Sequence, residues 1–596
     1  MVQKTTLDEL QGYPRMVHWF DPLLLSKLLG NVIVSGMFGQ YADRRLIHAA
    51  LDTVSPEELL KRADLTKDLA KDKDGAVWID YVADLGDGFD ATYAIASLLA
   101  APTLEIDDHH LPRGDALIMG GDEVYPLATR KDYLLRMRRP YRFAFPDSEA
   151  EGAQHPLVFM IPGNHDWYDG LTLFLALFCR KKPTKLGSWR TRQRRSYFAL
   201  KLTDDWWLWA IDIQLSEDMD QPQFEYFETI AEAMPTNAKI ILCTAEPGWY
   251  KAEAGGPSYE TMEFAAQIAD KADKNLKVVV LLSGDHHHYA RYSSTDLGTQ
   301  FITSGGGGAF LHPTHQLKDT INANWLGVSG KLLLKTEPGE NHEPCEAEAC
   351  YPNRDQSRAL LRGDLKFPTT NPEFCVVIGV IYALCAIALR TWGGSGFLAI
   401  SLAFVAILAV YTANGTGWNR KTLGVPDAVL VSLPHGIAHA GAALLITVGA
   451  LWAAAHLSGL TPGSFWFEAL VIAGVAVLGG LAGGFIFGLY LLLTCRYAGM
   501  NDNDAFSAMR LDGYRHFLRM RIIDDTVTVY AIGLDRVPTR DEWRNNPKSE
   551  ANPTAPWFIA EPPLAPHLIE KPIIIRAKKV APVADAAPET KEPPSP

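Results

Sequence analysis

Several things are scarce in this chain, and each scarcity removes a class of protein. Cysteine is one: Cys179, Cys243, Cys345, Cys350, Cys375, Cys385 and Cys495 are scattered through 596 residues. No closely spaced even set offers a disulfide framework, and nothing in the pattern demands an oxidising compartment. Cys345 and Cys350, in the run CEAEAC, are near enough to pair or to bind metal. No second pair completes a zinc site, so two free thiols in a polar loop is the simpler reading. An excess of positive charge is also absent. The formal net charge is −13, which argues against a general nucleic-acid binder. A secretory leader is lacking too: MVQKTTLDELQGYPR has neither a basic start nor an apolar run, so the first domain is expected to remain in the cytosol. Finally, charge itself almost vanishes between Phe374 and Leu493, while the flanking sequence has a soluble composition. No repeat of solenoid period is present.

What is there divides accordingly, since a chain of this length exceeds a single core. We expect an N-terminal helical segment (1–75), an α/β domain (76–340) and a linker (341–372). A transmembrane domain of about four spans (373–495), a C-terminal cytoplasmic segment (496–577) and a disordered tail rich in Ala, Pro, Lys and Glu (578–596) follow. Residues 22–38 are apolar but short of the ~20 residues a span needs. They read as an amphipathic or membrane-skimming helix, with a core helix as the alternative. Residues 55–72 predict a helix capped by Ser55 with Pro56 at its first position. The apolar stretches are Phe374–Leu389, Phe397–Ala413, Ala428–Leu457 and Phe465–Leu493. Arg358, Arg362 and Lys366 precede the first and Arg496 follows the last. The positive-inside rule then puts both soluble ends in the cytoplasm of an integral inner- or plasma-membrane protein.

Six short apolar runs precede polar clusters: Val77–Val82, Ala116–Met119, Leu157–Ile161, Trp206–Ile211, Lys239–Cys243 and Lys277–Leu282. Such runs fit buried strands, and helical stretches at Tyr93–Ala101 and Gln223–Ala233 lie between them. The fold class expected is an α/β sandwich with functional loops at the carboxyl ends of the strands. DTVTVYAIGL, further on, alternates like one more strand.

The loops carry ADLGDGFD (83–90), GGDEVYP (120–126), PGNHDWYDG (162–170), TAEPGW (244–249) and SGDHHHY (283–289). Hydrolysis of a phosphoester at neutral pH calls for hard Lewis acids that activate water and clamp phosphoryl oxygens. The ligands such ions need are carboxylates, an amide oxygen and imidazole. Asp84, Asp122, Asn164, Asp285 and His287 supply them, with His165 free to act as an acid.

In this order the blocks resemble the calcineurin-like metallophosphoesterase superfamily, whose signature runs D-x-H, G-D, G-N-H-[DE], a lone His before x-Pro, and G-H-x-H. The resemblance implies a four-layer αββα sandwich and two divalent or mixed-valence ions. It also implies that Asp84 and His287 bind the first ion, Asp122 bridges, and Asn164 binds the second. His165 would protonate the leaving oxygen, with Asp166 orienting its ring. Three positions depart: Gly86 replaces the His of D-x-H, Asp285 the first His of G-H-x-H, and Ala245 the lone His. Asp285 can still ligate a hard cation. Gly86 with Tyr125 is similar to the purple acid phosphatase branch, where D-x-G accompanies G-D-x-x-Y and the tyrosine binds ferric iron. Glu246 is a substitute ligand beside Ala245, and Asp87 a spare carboxylate. Such a carboxylate-rich site favours manganese, iron or magnesium over zinc. GGGGAFLHPTH (305–315) with GDHHHY is similar to membrane-linked members of the superfamily, and His312 and His315 are either replacement ligands or ordinary loop residues.

Simpler readings stand beside these. Any one of the aspartates is as well explained as a helix cap, but the ordered set is not. Arg190, Arg192, Arg194 and Arg195, and a cluster from Arg130 to Arg142, read first as solvated faces and second as anionic-lipid contacts. His435 and His439 lie four apart in a predicted span and read as interhelical hydrogen-bonding imidazoles rather than a metal or haem site. The function expected is a metal-dependent hydrolase of a phosphomonoester, phosphodiester or pyrophosphate, working by metal-activated water at a lipid bilayer. The alternatives are a degenerate sensor that regulates its own membrane domain, and a transporter or channel governed by the cytosolic domain.

Overall fold

The computed structural model describes residues 6–38, 43–147, 155–213, 218–294, 297–334, 349–414 and 425–576. Cys345 and the tail beyond residue 576 lie outside them. The N-terminal part is helical, including α1 (Pro22–Phe38) and a helix at Pro56–Ala63. Ser55 caps the latter, its hydroxyl accepting from Glu58 N, with Pro56 in the first turn. That helix is shorter than the pattern suggests. Thr66 N donates to Asp64 Oδ1 over 2.9 Å, a turn that competes with the next helical turn. In α1, Leu23 and Leu29 are exposed, so residues 22–30 do not form a core helix.

Ten strands frame the α/β unit. In chain order they are β1 (Val77–Val82), β2 (Ala116–Met119), β3 (Leu157–Met160), β4 (Trp206–Ala210) and β5 (Lys239–Cys243). Then come β6 (Lys277–Ser283), β7 (Tyr289–Ser293), β8 (Gln300–Ser304), β9 (Arg515–Ile523) and β10 (Thr526–Leu534). One sheet runs β10-β9-β1-β2-β3 and the other β7-β8-β6-β5-β4, each extended by shorter strands. The pairs β1–β2, β2–β3, β4–β5, β5–β6 and β6–β8 are parallel. Parallel strands are covered on both faces, which is why they read as unbroken apolar runs. Ile79, Tyr81, Ile118 and Phe159 of the first sheet pack between the sheets against Leu208, Ile241 and Leu282 of the second. α2 (Phe89–Ala100) covers the outer face of the first sheet. α3 (Gln221–Ala233) and α4 (Pro257–Lys271) cover that of the second. The result is the four-layer αββα sandwich.

Among the described residues, three helices are long and apolar enough to cross a membrane: α5 (Pro372–Asn414), α6 (Val425–Leu457) and α7 (Phe465–Leu493). Gly393 interrupts α5 at φ 67° and ψ −156°, a conformation that favours glycine. Phe374 and Tyr411 both lie against Phe487, with ring centroids 5.2 and 5.9 Å away. A straight helix of this length would separate them by about 55 Å. The two halves of α5 therefore fold back on each other, and four apolar legs stand side by side.

The division of the chain at residue 496 needs correction. β9 pairs antiparallel with β1, and β10 with β9, so the C-terminal stretch completes the first sheet rather than forming a segment of its own. Alternation announces the strand but cannot name a partner this distant. The pairing is fixed by a buried ion pair: Arg519 Nε lies 2.7 Å from Asp80 Oδ1 and Nη2 3.0 Å from Oδ2, 439 positions apart. Arg519 Nη1 also donates to Leu111 O over 2.9 Å. Replacing Arg519 by Met leaves Asp80 buried and unpaired, at an expected cost of about 3–5 kcal/mol. Thermal unfolding of the full chain in detergent checks it: a marked fall in Tm is expected, with partial recovery when Asp80→Leu is added.

Candidate metal centre

Three acids leave the carboxyl ends of parallel strands on left-handed backbone: Asp84 after β1 (φ 61°), Asp122 after β2 (φ 52°) and Asp285 after β6 (φ 64°). Aspartate tolerates this region better than most residues, and strain held at several strand ends is common at functional sites. The loops are tied together by Asp84 N to Gly121 O (3.0 Å), Leu85 N to Asp122 O (2.8 Å) and Ala309 N to Asp84 O (3.0 Å).

The side chains converge on one hydroxyl. Tyr125 Oη lies 2.9 Å from Asp84 Oδ1, 3.0 Å from Asp122 Oδ2 and 2.9 Å from His287 Nε2. The ring of His287 is set by its Nδ1, 2.7 Å from Phe310 O, which turns Nε2 toward the acids. Asp285 N donates to both oxygens of Asp84, over 3.1 and 2.9 Å. His165 N donates to Asp122 Oδ1 over 2.9 Å. Asp122 needs glycine beside it, for a Cβ at Gly163 would fall 2.1 Å from Asp122 Oδ1. Asn164 Oδ1 is buried with no hydrogen-bond partner.

Electrostatically the site is an excess of buried acid. Burial first, and then Asp122 and Asp285, push the carboxyl of Asp84 well above the usual range. Burial, then Glu246 and Asp122, does the same to Asp285. Asp122 is pushed up to about 7 by burial, and Asp166 to about 7 by burial and then by Asp122. Glu123 is the extreme case: burial and the neighbouring acids raise it, and both of its carboxylate oxygens lack a partner. Among the described residues, none of these five acids pairs with Lys or Arg. Uncompensated buried carboxylates favour either protons or cations, so this donor set fits hard metal ions. No group of three or more His, Cys, Asp or Glu side chains closes around a single point among the described residues, because a tyrosine hydroxyl sits between them instead.

Sequence expectation and geometry differ at several positions. Asp166 does not touch the His165 ring. It accepts from Gly163 N (3.0 Å), Glu123 N (3.2 Å) and the Tyr133 hydroxyl, a local cap on its own loop. The ring is instead held by Pro126 O, 2.9 Å from Nδ1. Glu246 is engaged by Lys251 Nζ over 2.6 Å. Asp87 is no spare ligand, since it accepts from Val17 N (2.9 Å), Trp19 Nε1 (3.3 Å) and Phe310 N (3.0 Å). His312 stacks on His287 at 4.0 Å, accepts from His287 N at 3.1 Å and lies 3.0 Å from Asn503 Oδ1. It positions His287 rather than replacing it. His315 lies away, 2.8 Å from Ser357 Oγ. Arg190 and Arg192 are paired with Asp147 and Asp68. His435 and His439 meet Nε2 to Nε2 at 3.0 Å, and Tyr382 Oη lies 2.8 Å from His439 Nδ1.

Glu123, Trp19, Phe310 and Asn503 were not singled out by sequence. Glu123 adjoins Asp122, a signal that was there to read. Trp19 comes from a loop with no motif and packs against Tyr125, His165 and Phe310 at 6.0, 5.8 and 5.3 Å. Gly86 is a requirement rather than a loss: its φ is +68°, and a Cβ there would lie 2.7 Å from Glu123 O. Ala245 is buried, within 2.9 Å of where a Gly121 Cβ would stand.

Two facing mixed sheets carry acid, amide and imidazole donors at their strand ends. Residues 77–289 match the model of the calcineurin-like phosphoesterase family. The match ends before the apolar helices and before the two strands that complete the first sheet. No curated protein and no solved structure matches the chain. Restoring the family histidine by Gly86→His is expected to destabilise the protein by about 2 kcal/mol or more rather than to add a ligand. A lower Tm with no gain in bound metal, measured by elemental analysis, is the outcome that checks this.

Proposed function

We propose that the protein hydrolyses a phosphate ester, a phosphomonoester, phosphodiester or pyrophosphate, at a centre of two hard metal ions. The observation that carries the reading is the Tyr125 hydroxyl within 3.0 Å of Asp84, Asp122 and His287. Those four residues would hold the first ion. Asp122, Asn164 and Asp285 would hold a second ion, with Glu246 behind them. When bound, the ions supply positive charge to the phosphoryl oxygens and lower the pKa of the attacking water. A phenol among the ligands, together with the carboxylates, favours iron or manganese over zinc.

The protein's own part is positioning and proton transfer. His165 is pushed down to about 4 by burial, so its imidazole is neutral at pH 7 until substrate charge arrives. With Nδ1 directed at Pro126 O, Nε2 is the nitrogen available to the ester oxygen. The negative phosphoryl group would raise its proton affinity, so that Nε2 takes up a proton from solvent and passes it to the departing alkoxide. The apolar legs lie in the bilayer, and the α/β unit with both chain ends lies on the cytoplasmic side, beside Arg358, Arg362, Lys366 and Arg496.

The full chain, purified in detergent and supplied with manganese or iron, is expected to hydrolyse p-nitrophenyl phosphate or its bis ester. Asp122→Asn removes the shared ligand and is expected to cut kcat/KM by about 10³-fold with loss of bound metal and no fall in Tm. His165→Gln is expected to cut kcat by about 10²-fold with metal content unchanged. Bound metal without turnover in the parent chain would favour the sensor, the reading that Ala245 supports.

A further inference from the structure

The metal-centre donors open onto a cavity of about 600 Å³ whose other walls belong to the membrane helices. At one end lie Asp122, Tyr125, Asn164, His165, Asp285 and His287. At the other lie Phe374, Ile378 and Ile381 from the first leg of α5, and Phe404 and Leu408 from the second. Phe374 to Ile381 is seven residues, so the apolar part reaches about 10 Å along the bundle. Among the described residues, no Lys or Arg lines the cavity. The far end is thus unsuited to a second charged group such as a nucleotide or an inositol phosphate.

The cavity also communicates with the outside of the bundle. Leu25, Val377 and Ile407 line it, yet they are 40%, 39% and 64% exposed. These side chains would face lipid tails if the legs span a bilayer. A soluble substrate would gain nothing from such a slot, and dry apolar walls beside buried carboxylates would only weaken hydration of the site. The N-terminal strap spans the two halves of the cavity. Trp19 packs on His165 and Tyr125, and the next residue, Phe20, packs on Phe367, Phe374 and Phe487. Headgroup site and chain slot are therefore built against one continuous strap.

We infer that the substrate is a lipid phosphate ester, its phosphoryl group at the metal centre and its hydrocarbon chain in the slot between the two legs of α5. The inference rests on the phosphoesterase reading and deepens it. Water adds across the ester P–O bond: its oxygen bonds to phosphorus, the lipid oxygen leaves, and that oxygen takes up a proton. A phosphomonoester thus gives a lipid alcohol and inorganic phosphate.

The test uses the full metal-loaded chain in nanodiscs and two homologous series. One is n-alkyl phosphates of 2, 8 and 14 carbons, read by phosphate release. The other is the corresponding n-alkyl p-nitrophenyl phosphodiesters, read by nitrophenolate. In at least one series kcat/KM is expected to rise by about 100-fold or more from ethyl to octyl, as buried methylenes add affinity. Filling the slot with Leu408→Trp is expected to lower the octyl-to-ethyl ratio at least tenfold. Because that ratio is taken within one preparation, it does not depend on the fraction folded. Turnover of the ethyl esters with no dependence on chain length, or a ratio that Leu408→Trp leaves unchanged, overturns the lipid assignment while sparing the phosphoesterase. Absence of turnover in both series overturns both.

Discussion

A ladder of hydrogen bonds between β1 and β9 joins the beginning of the α/β unit to sequence that follows the last apolar helix. The rest of the structure depends on it. The four apolar legs are not appended to a finished domain. They are an excursion made from within it, leaving near Pro372 and returning before Arg515. Any piece of chain cut ahead of the legs lacks two strands of its first sheet and the arginine that neutralises Asp80. Fixing the bundle at both ends also fixes which faces of α5 and α7 look toward the strand ends. That is how Phe374, Tyr411 and Phe487 come to share a cavity with His165 and His287.

The second constraint is charge. Asp84, Asp122, Glu123 and Asp166 are buried with the half-buried Asp285 beside them, and among the described residues no Lys or Arg pairs with any of the five. Folding such a shell in the absence of cations requires that protons be taken up, and it lowers stability relative to an apolar core of the same size. The cost is concentrated where the three strand-end acids adopt left-handed backbone. This is the kind of local disagreement with general folding rules that marks a working site. Tyr125 moderates it only in part, since its one hydroxyl proton is offered to three neighbours at once.

Much of the α/β unit was legible in the sequence, because buried parallel strands write themselves as short apolar runs and all six such runs became strands. The strand-end clusters were legible for a related reason: left-handed turns and hard-ion ligands both select Asp, Asn and Gly. Asp166 and Asp87 were misread because a carboxylate near a motif looks the same whether it faces an imidazole or a backbone amide. Trp19 and Asn503 were invisible, since they reach the centre from far along the chain and carry no local signature. The partner of β9 was invisible in the same way. Glycine at 86 looked like a defect until the Glu123 carbonyl was seen to fill the space a side chain would need.

The order in which the chain is synthesised acquires meaning from the placement of β9. A ribosome must emit every hydrophobic leg before the strand that seals β1 exists. During that interval the nascent sheet has a raw edge, and the acid-rich loops hang from an unfinished scaffold. Completion of the first sheet is thereby made to wait for synthesis of the apolar helices.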